Sequence, residues 1–168
     1  MNTKNKLTRW LRLTSQTIAT SAGGIIAISN NQTSNVTSCH DWAGISGEFQ
    51  QYRVKQYRVR AVPVVLVPAT GQHGVLYMIR YWGLVPTTIT NIASEPSFEG
   101  FSTMEEFEYD NNWLGFPDAH LWTNVGTAIP QEQSYGVCWI SNTTPAMPAS
   151  TTMFSITFEF EVEFQGTY

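Results

Sequence analysis

The most regular pattern lies near the end of the chain. Over residues 155–164, SITFEFEVEF, the apolar Ile156, Phe158, Phe160, Val162 and Phe164 alternate with Ser155, Thr157, Glu159, Glu161 and Glu163. Side chains in a strand point to opposite faces with a period of two, so this run predicts a ten-residue strand with one buried and one acidic face. A second alternation runs from Tyr57, where Tyr57, Val59 and Ala61 interleave with Arg58 and Arg60 before Pro63 ends the run. It predicts a strand with a basic face and with Tyr57 in the core. Just upstream, Ile45, Phe49 and Tyr52 fall at i, i+4 and i+7, the spacing of one helical face. A short helix from about Asp41, with Asp41 and Ser38 available as caps, is therefore expected to lead into the basic strand.

The remaining elements follow from weaker signals. Residues 9–22, RWLRLTSQTIATSA, read as one long strand or two joined by a bulge, broken by Gly23-Gly24. IIAIS resumes extended character, and NNQTSNVTS reads as a polar loop. VLYMIRYWGLV predicts an apolar strand closing at Pro86, and a short helix is expected over about residues 91–98. Short strands are expected within 121–130 and over 134–141, followed by the loop TTPAMPAS. Many strands with turn signals and almost no helix predict an antiparallel sandwich or barrel. With no internal repeat and no linker, 168 residues make one domain over 9–168 behind a short, flexible, weakly basic arm over 1–8.

Charge changes this picture in one respect. Charged residues make up 13% of the chain, about half the usual ~25%, so other polar residues or neighbouring subunits must cover much of the surface. Residues 1–80 hold all nine Lys and Arg with only Asp41 and Glu48, whereas residues 81–168 hold eleven acids and no Lys or Arg. Either the halves pair across a sheet, or a basic face meets nucleic acid. Lys4, Lys6, Arg9 and Arg12 form one sparse cluster and Arg53, Lys55, Arg58 and Arg60 another. Both suit sequence-independent phosphate contact.

Other chemistry is thin. Cys39 and Cys138 are too few for a disulfide framework and read as free thiols. No run approaches the ~18 apolar residues of a membrane span. His40, His73 and His120 show no metal-ligand spacing. Asp118 and His120 could share a strand face as a water-activating pair, but Gly115 and Pro117 make that stretch a loop. Glu105, Glu106, Glu108 and Asp110 could ligate calcium or form a solvated acidic loop. The tryptophans, at positions 10, 42, 82, 113, 122 and 139, leave open a carbohydrate-binding sandwich, although their scatter suits a core and an interface.

The stretch DWAGISGEFQQYRVKQYRVRAVPV resembles the helix-to-strand region of single-jelly-roll coat proteins of small icosahedral viruses, the tombusvirus-like shell domains and their relatives in small RNA and circular single-stranded DNA viruses. The residues that carry the likeness are Asp41-Trp42, Phe49, Tyr52-Arg53-Val54 and Arg58 through Pro63. SQTIATSAGGIIAIS is similar to the first-strand region and FSITFEFEVEFQG to the last strand. The resemblance implies an eight-stranded jelly roll of two facing four-stranded sheets, with one or two short helices in loops. It implies a coat subunit without catalysis or cofactor, whose partners are copies of itself and, weakly and without sequence preference, viral RNA or single-stranded DNA. No membrane partner is implied, and the location is the virion, assembled in the host cell. Trp42, Phe49, Tyr52 and Val54 become the structural signature, with the last three anchoring the helix. Lys4, Lys6, Arg9 and Arg12 become nucleic-acid contacts, and Arg53, Lys55, Arg58 and Arg60 subunit or inner-surface contacts. The acidic face of the last strand should lie beside the strand carrying Arg9 or Arg12. The stretch RYWGLVP lacks the carboxylate that calcium-binding shells place there, so no metal is expected.

Overall fold

A computed structural model of the chain describes residues 6–27, 29–64, 74–84, 98–112, 121–141 and 147–167. Among these residues nine strands form: β1 (Lys6–Ala19), β2 (Ser29–Gln32), β3 (Phe49–Pro63), β4 (Val75–Trp82), β5 (Phe98–Ser102), β6 (Phe107–Asn112), β7 (Thr123–Asn124), β8 (Tyr135–Ser141) and β9 (Thr152–Thr167). They build two antiparallel sheets, ordered β1-β9-β3-β6 and β2-β8-β4-β5, with the two-residue β7 attached to β3. Eight principal strands in two facing sheets of four are the expected jelly roll. A single helix, α1 (Trp42–Ser46), and 310 turns at Thr33–Ser38 and Gln131–Gln133 complete the described elements.

Alternation is what joins the sheets. Leu11, Tyr57, Val59, Phe158, Phe160 and Val162 point from the first sheet onto Leu76, Met78, Val137 and Trp139 of the second, and all are 1% exposed or less. Tyr57 stacks on Phe158 with ring centroids 5.0 Å apart. Between β4 and β6, one from each sheet, Arg80 Nη1 donates to the Tyr109 hydroxyl at 2.6 Å, a polar link across the sandwich.

Several boundaries differ from the pattern. Phe49 and Tyr52 are not helical. α1 stops at Ser46 and β3 begins at Phe49. The helix-like spacing spans two elements: Ile45 lies in α1, whereas Phe49 and Tyr52 open β3, where the buried positions fall three apart; further along, a bulge between Val54 and Gln56 likewise sets the buried Val54 and Tyr57 three apart. Asp41 sits at the helix start but makes no side-chain capping bond. Residues 33–38 form a 310 turn where a loop was read. β1 starts at Lys6, so the last three residues of the predicted arm are strand. Its pairing with β9 shifts register between Leu13 and Gln16, the bulge that the long Thr-rich run allowed, and Gly24 closes the following turn at φ 72°. β2 falls on Ser29–Gln32, mostly within the stretch expected to be a loop and after the IIAIS run expected to be extended; β5 and β6 lie where no strand is expected, and β9 reaches sixteen residues, three further at each end than its clean alternation. Of the helix expected over 91–98, residues 91–97 lie outside the described residues and Phe98 opens β5. His73, Trp113, Asp118 and His120 also lie outside them.

Candidate functional site

The outward face of the β1-β9-β3-β6 sheet carries most of the described charge. β3 contributes Arg53, Arg58 and Arg60, and its neighbours on both sides come from the acidic half of the chain. Register places Arg53 opposite Glu163 and Arg58 opposite Glu159 on β9, and Arg58 opposite Asp110 and Arg60 opposite Glu108 on β6. On the other side of β9, Arg12 lies opposite Glu159. Sign therefore alternates strand by strand, and the last strand's acidic face lies beside β1 as expected.

The ion pairs follow the register. Arg58 Nε donates to Asp110 Oδ1 at 2.8 Å and lies 3.1 Å from Glu108 Oε1. Arg60 bonds Glu106, and Arg12 Nε is 3.8 Å from Glu159 Oε1. Arg58 also lies over the ring of Trp10, 5.2 Å from its centroid. These groups are largely exposed, so each pair contributes little stability. Their effect is electrostatic: five cations, Lys6, Arg12, Arg53, Arg58 and Arg60, face six carboxylates, Glu106, Glu108, Asp110, Glu159, Glu161 and Glu163. A face so balanced does not attract a phosphate backbone by net charge.

One pair is different in kind. Glu163 is 9% exposed and bridges three strands: Arg53 Nε of β3 donates to Oε2 at 2.7 Å, while Lys6 Nζ of β1 lies 3.5 Å from Oε1. Trp122 stacks on this cluster, its ring centroid 4.6 Å from the Arg53 guanidinium and 5.5 Å from Lys6 Nζ. Burial pushes the Glu163 carboxyl up, but the Arg53 hydrogen bond and charge, then Lys6, outweigh it and hold the group below its ordinary value of 4.5. A carboxyl depressed in the folded state stabilises fully above its unfolded pKa, and that contribution is lost as pH falls through the folded pKa. Thermal melts between pH 6 and pH 3 are therefore expected to show a steeper loss of Tm for the native chain than for Glu163→Gln. Parallel curves would remove Glu163 as the group responsible.

The sequence candidates divide accordingly. Lys6, Arg12, Arg53, Arg58 and Arg60 come together, but onto carboxylates of the same chain. Lys55 sits in the β3 bulge, and Lys4 lies outside the described residues. Arg9 is opposite Val162, on the other face of β1 from Arg12, and among the described residues it has no ion-pair partner. Within the acidic stretch Glu105 and Glu106 lie in the exposed turn between β5 and β6, whereas Glu108 and Asp110 belong to β6; Glu106, Glu108 and Asp110 are counter-ions of Arg58 and Arg60. Among the described residues no three His, Cys, Asp or Glu are placed to hold a metal ion. The signature residues form one aromatic cluster, with Trp42 of α1 edge-on to Tyr52 at 4.6 Å and both Trp42 and Phe49 against Phe164 at 5.7 and 5.4 Å. Val54 is buried beside them. Sequence reasoning missed Trp122, whose isolated position gave no signal, and Glu163 as a bridge, which needed the strand order.

Cys39 and Cys138 are buried free thiols. Burial, then the charge of Asp41, pushes the Cys39 thiol up to about 12. Trp42 and Trp139 are core, whereas Trp10, 43% exposed, and Trp82, 39%, lie on different sheets.

A second feature lies at the free edge of β1. Between β1 and α1 runs an open groove of about 660 Å³, with Leu7, Leu11 and Ile45 among its apolar lining and Arg9, Asp41 and Glu48 among its charged lining.

The chain matches no protein-family model and no curated protein. Its fold is similar to solved virus structures. A chain of mud crab tombus-like virus superposes with a TM-score of 0.64 at 13% identity, covering 100% of this chain and 93% of that one. Cocksfoot mottle virus gives 0.65 at 13% identity, covering 98% and 95%. A subviral particle of a Penaeus vannamei nodavirus capsid protein deletion mutant gives 0.59 at 15% identity, covering 97% and 98%. Likeness at such identity establishes a shared fold over the whole chain.

Proposed function

We propose that this chain is the coat subunit of a small icosahedral virus, acting by self-assembly and not by catalysis. The observation that carries the reading is the pair of sheets ordered β1-β9-β3-β6 and β2-β8-β4-β5, a fold similar over the whole chain to those of solved virus particles. Low charge and a self-neutralised sheet face support it too, since such surfaces associate more readily than they repel.

Contact with enclosed nucleic acid is the weaker part of this function. Lys6 and Arg12 are already opposite Glu163 and Glu159 and would have to trade those partners for phosphate. Lys4 is the remaining cation of that cluster ahead of β1, so packaging should be weak, salt-sensitive and indifferent to sequence. No described helix is long and apolar enough to cross a membrane, and copies of the chain itself are the principal partner.

Negative-stain electron microscopy of the purified protein tests the proposal. Uniform closed shells are expected. Chains starting at Lys6 should still form them, with a lower ratio of absorbance at 260 nm to that at 280 nm. A stable monomer under all assembly conditions would overturn the coat reading, and an unchanged absorbance ratio would overturn the role of Lys4.

A further inference from the structure

Among the described residues β1 is an edge strand: its one strand partner there is β9, and the β1-β9-β3-β6 order ends on it. The Arg12 carbonyl points away from β9, because it accepts the His40 N–H at 3.2 Å. In an antiparallel strand alternate residues share that orientation, so Thr8 and Trp10 also turn their N–H and C=O groups toward the open edge. The segment at His40 covers the edge at Arg12; among the described residues no strand pairs with the edge from Lys6 to Leu11. A run of unpaired backbone groups of this kind is a template for another strand.

The groove beside that edge carries both signs of charge. Arg9 contributes from β1; Asp41 and Glu48 contribute from the two ends of the α1 segment. Among the described residues none of the three has an ion pair. That separates the groove from the sheet face, where every described arginine of β3 is already matched. A patch with a cation on one wall and carboxylates on the other is complementary to itself when turned by a two-fold axis. Gly44 opens the groove further: a side chain placed there would meet nothing within 4 Å.

We infer that the β1 edge and its groove are a contact between two copies of this chain. The open backbone of Thr8 and Trp10 pairs with the same strand of the second copy, and Arg9 of each copy reaches Asp41 or Glu48 of the other. This inference rests on the self-assembly reading and locates one of its contacts. Main-chain bonds supply the attachment, the apolar floor of Leu7, Leu11 and Ile45 is covered, and the crossed charges set the register.

Sedimentation velocity over a concentration series, at low and high salt, reads the association. Arg9→Glu should weaken it by about tenfold or more, and adding Asp41→Arg with Glu48→Arg should restore it. Gly44→Leu, which removes a helical glycine and fills open space, should fold at least as well and still fail to associate. Thr8→Pro removes an outward-facing donor on an edge strand, a position where proline is tolerated, and should act likewise. Circular dichroism confirms that each variant is folded. If folded Arg9→Glu and Gly44→Leu chains associate like the native chain, the inference is wrong. Closed shells built normally from Arg9→Glu chains would sink the β1 contact and leave the coat reading standing. A salt-sensitive dimer that needs Arg9 but never closes into shells would do the reverse.

Discussion

Trp139→Ala is expected to lower unfolding free energy by about 3–5 kcal/mol, the range for removing a large aromatic from a packed core. Trp139 lies in the middle of β8, fully buried, and is the largest of the wholly buried side chains. β8 is an inner strand, bonded to β2 on one side and β4 on the other, so the cavity cannot collapse by moving an edge. The ring also meets Phe107 of the opposite sheet at 5.7 Å, tying the two sheets together. Against a typical total of about 5–15 kcal/mol this loss leaves a marginal domain. Urea titration should show a lower midpoint with an unchanged slope. A midpoint equal to that of the native chain would mean that Trp139 does not hold the sheets together.

Glu163→Leu is expected to be the most damaging change on the charged face, costing about 1–3 kcal/mol, because it leaves a partly buried cation without its hydrogen-bonded partner. Arg53, whose side chain is 20% exposed, would lose its hydrogen-bonded partner while staying under Trp122, and Lys6 would lose its counter-ion. The double variant Glu163→Leu with Arg53→Met should recover much of the loss, since two well-packed apolar groups can replace a buried pair. A double-mutant cycle measures the coupling directly. Additive effects would mean that the two residues act independently. By contrast, single changes at Arg58 or Arg60 should hardly alter stability, because water screens those exposed pairs.

The contrast between these sites explains why the basic strand misled a reading of charge alone. Arg53, Arg58 and Arg60 are adjacent to no acid in sequence, so on paper they look available to phosphate. Their counter-ions lie about 46 to 110 positions away, within strands that only the fold order brings alongside. The division of charge between the two halves was the visible trace of this arrangement, and strand neighbours turned out to account for it. Arg9 shows the opposite case. Grouped in sequence with Lys6 and Arg12, it points to the other face of β1 and belongs to the groove, because one position along a strand reverses the direction of the side chain.

β9, β3, β4 and β8 were legible because each is long or apolar enough for its alternation, or its boundary residues, to stand out. β6 carries the same signal in Phe107, Glu108, Tyr109 and Asp110, but four acids in a short stretch drew attention to their charge and away from their period. Phe49 and Tyr52, buried three apart at the start of β3, gave a strand the spacing of a helical face when counted together with Ile45 of α1. Side-chain alternation is a local property, so the sequence by itself determined that this protein is built of half-buried strands and which faces are apolar. Strand order, the neutralisation of the β3 arginines, the buried bridge at Glu163 and the open edge of β1 join residues far apart in the chain. Hydrogen-bonded pairing and burial between whole sheets decide such contacts, so only the tertiary structure could assign them.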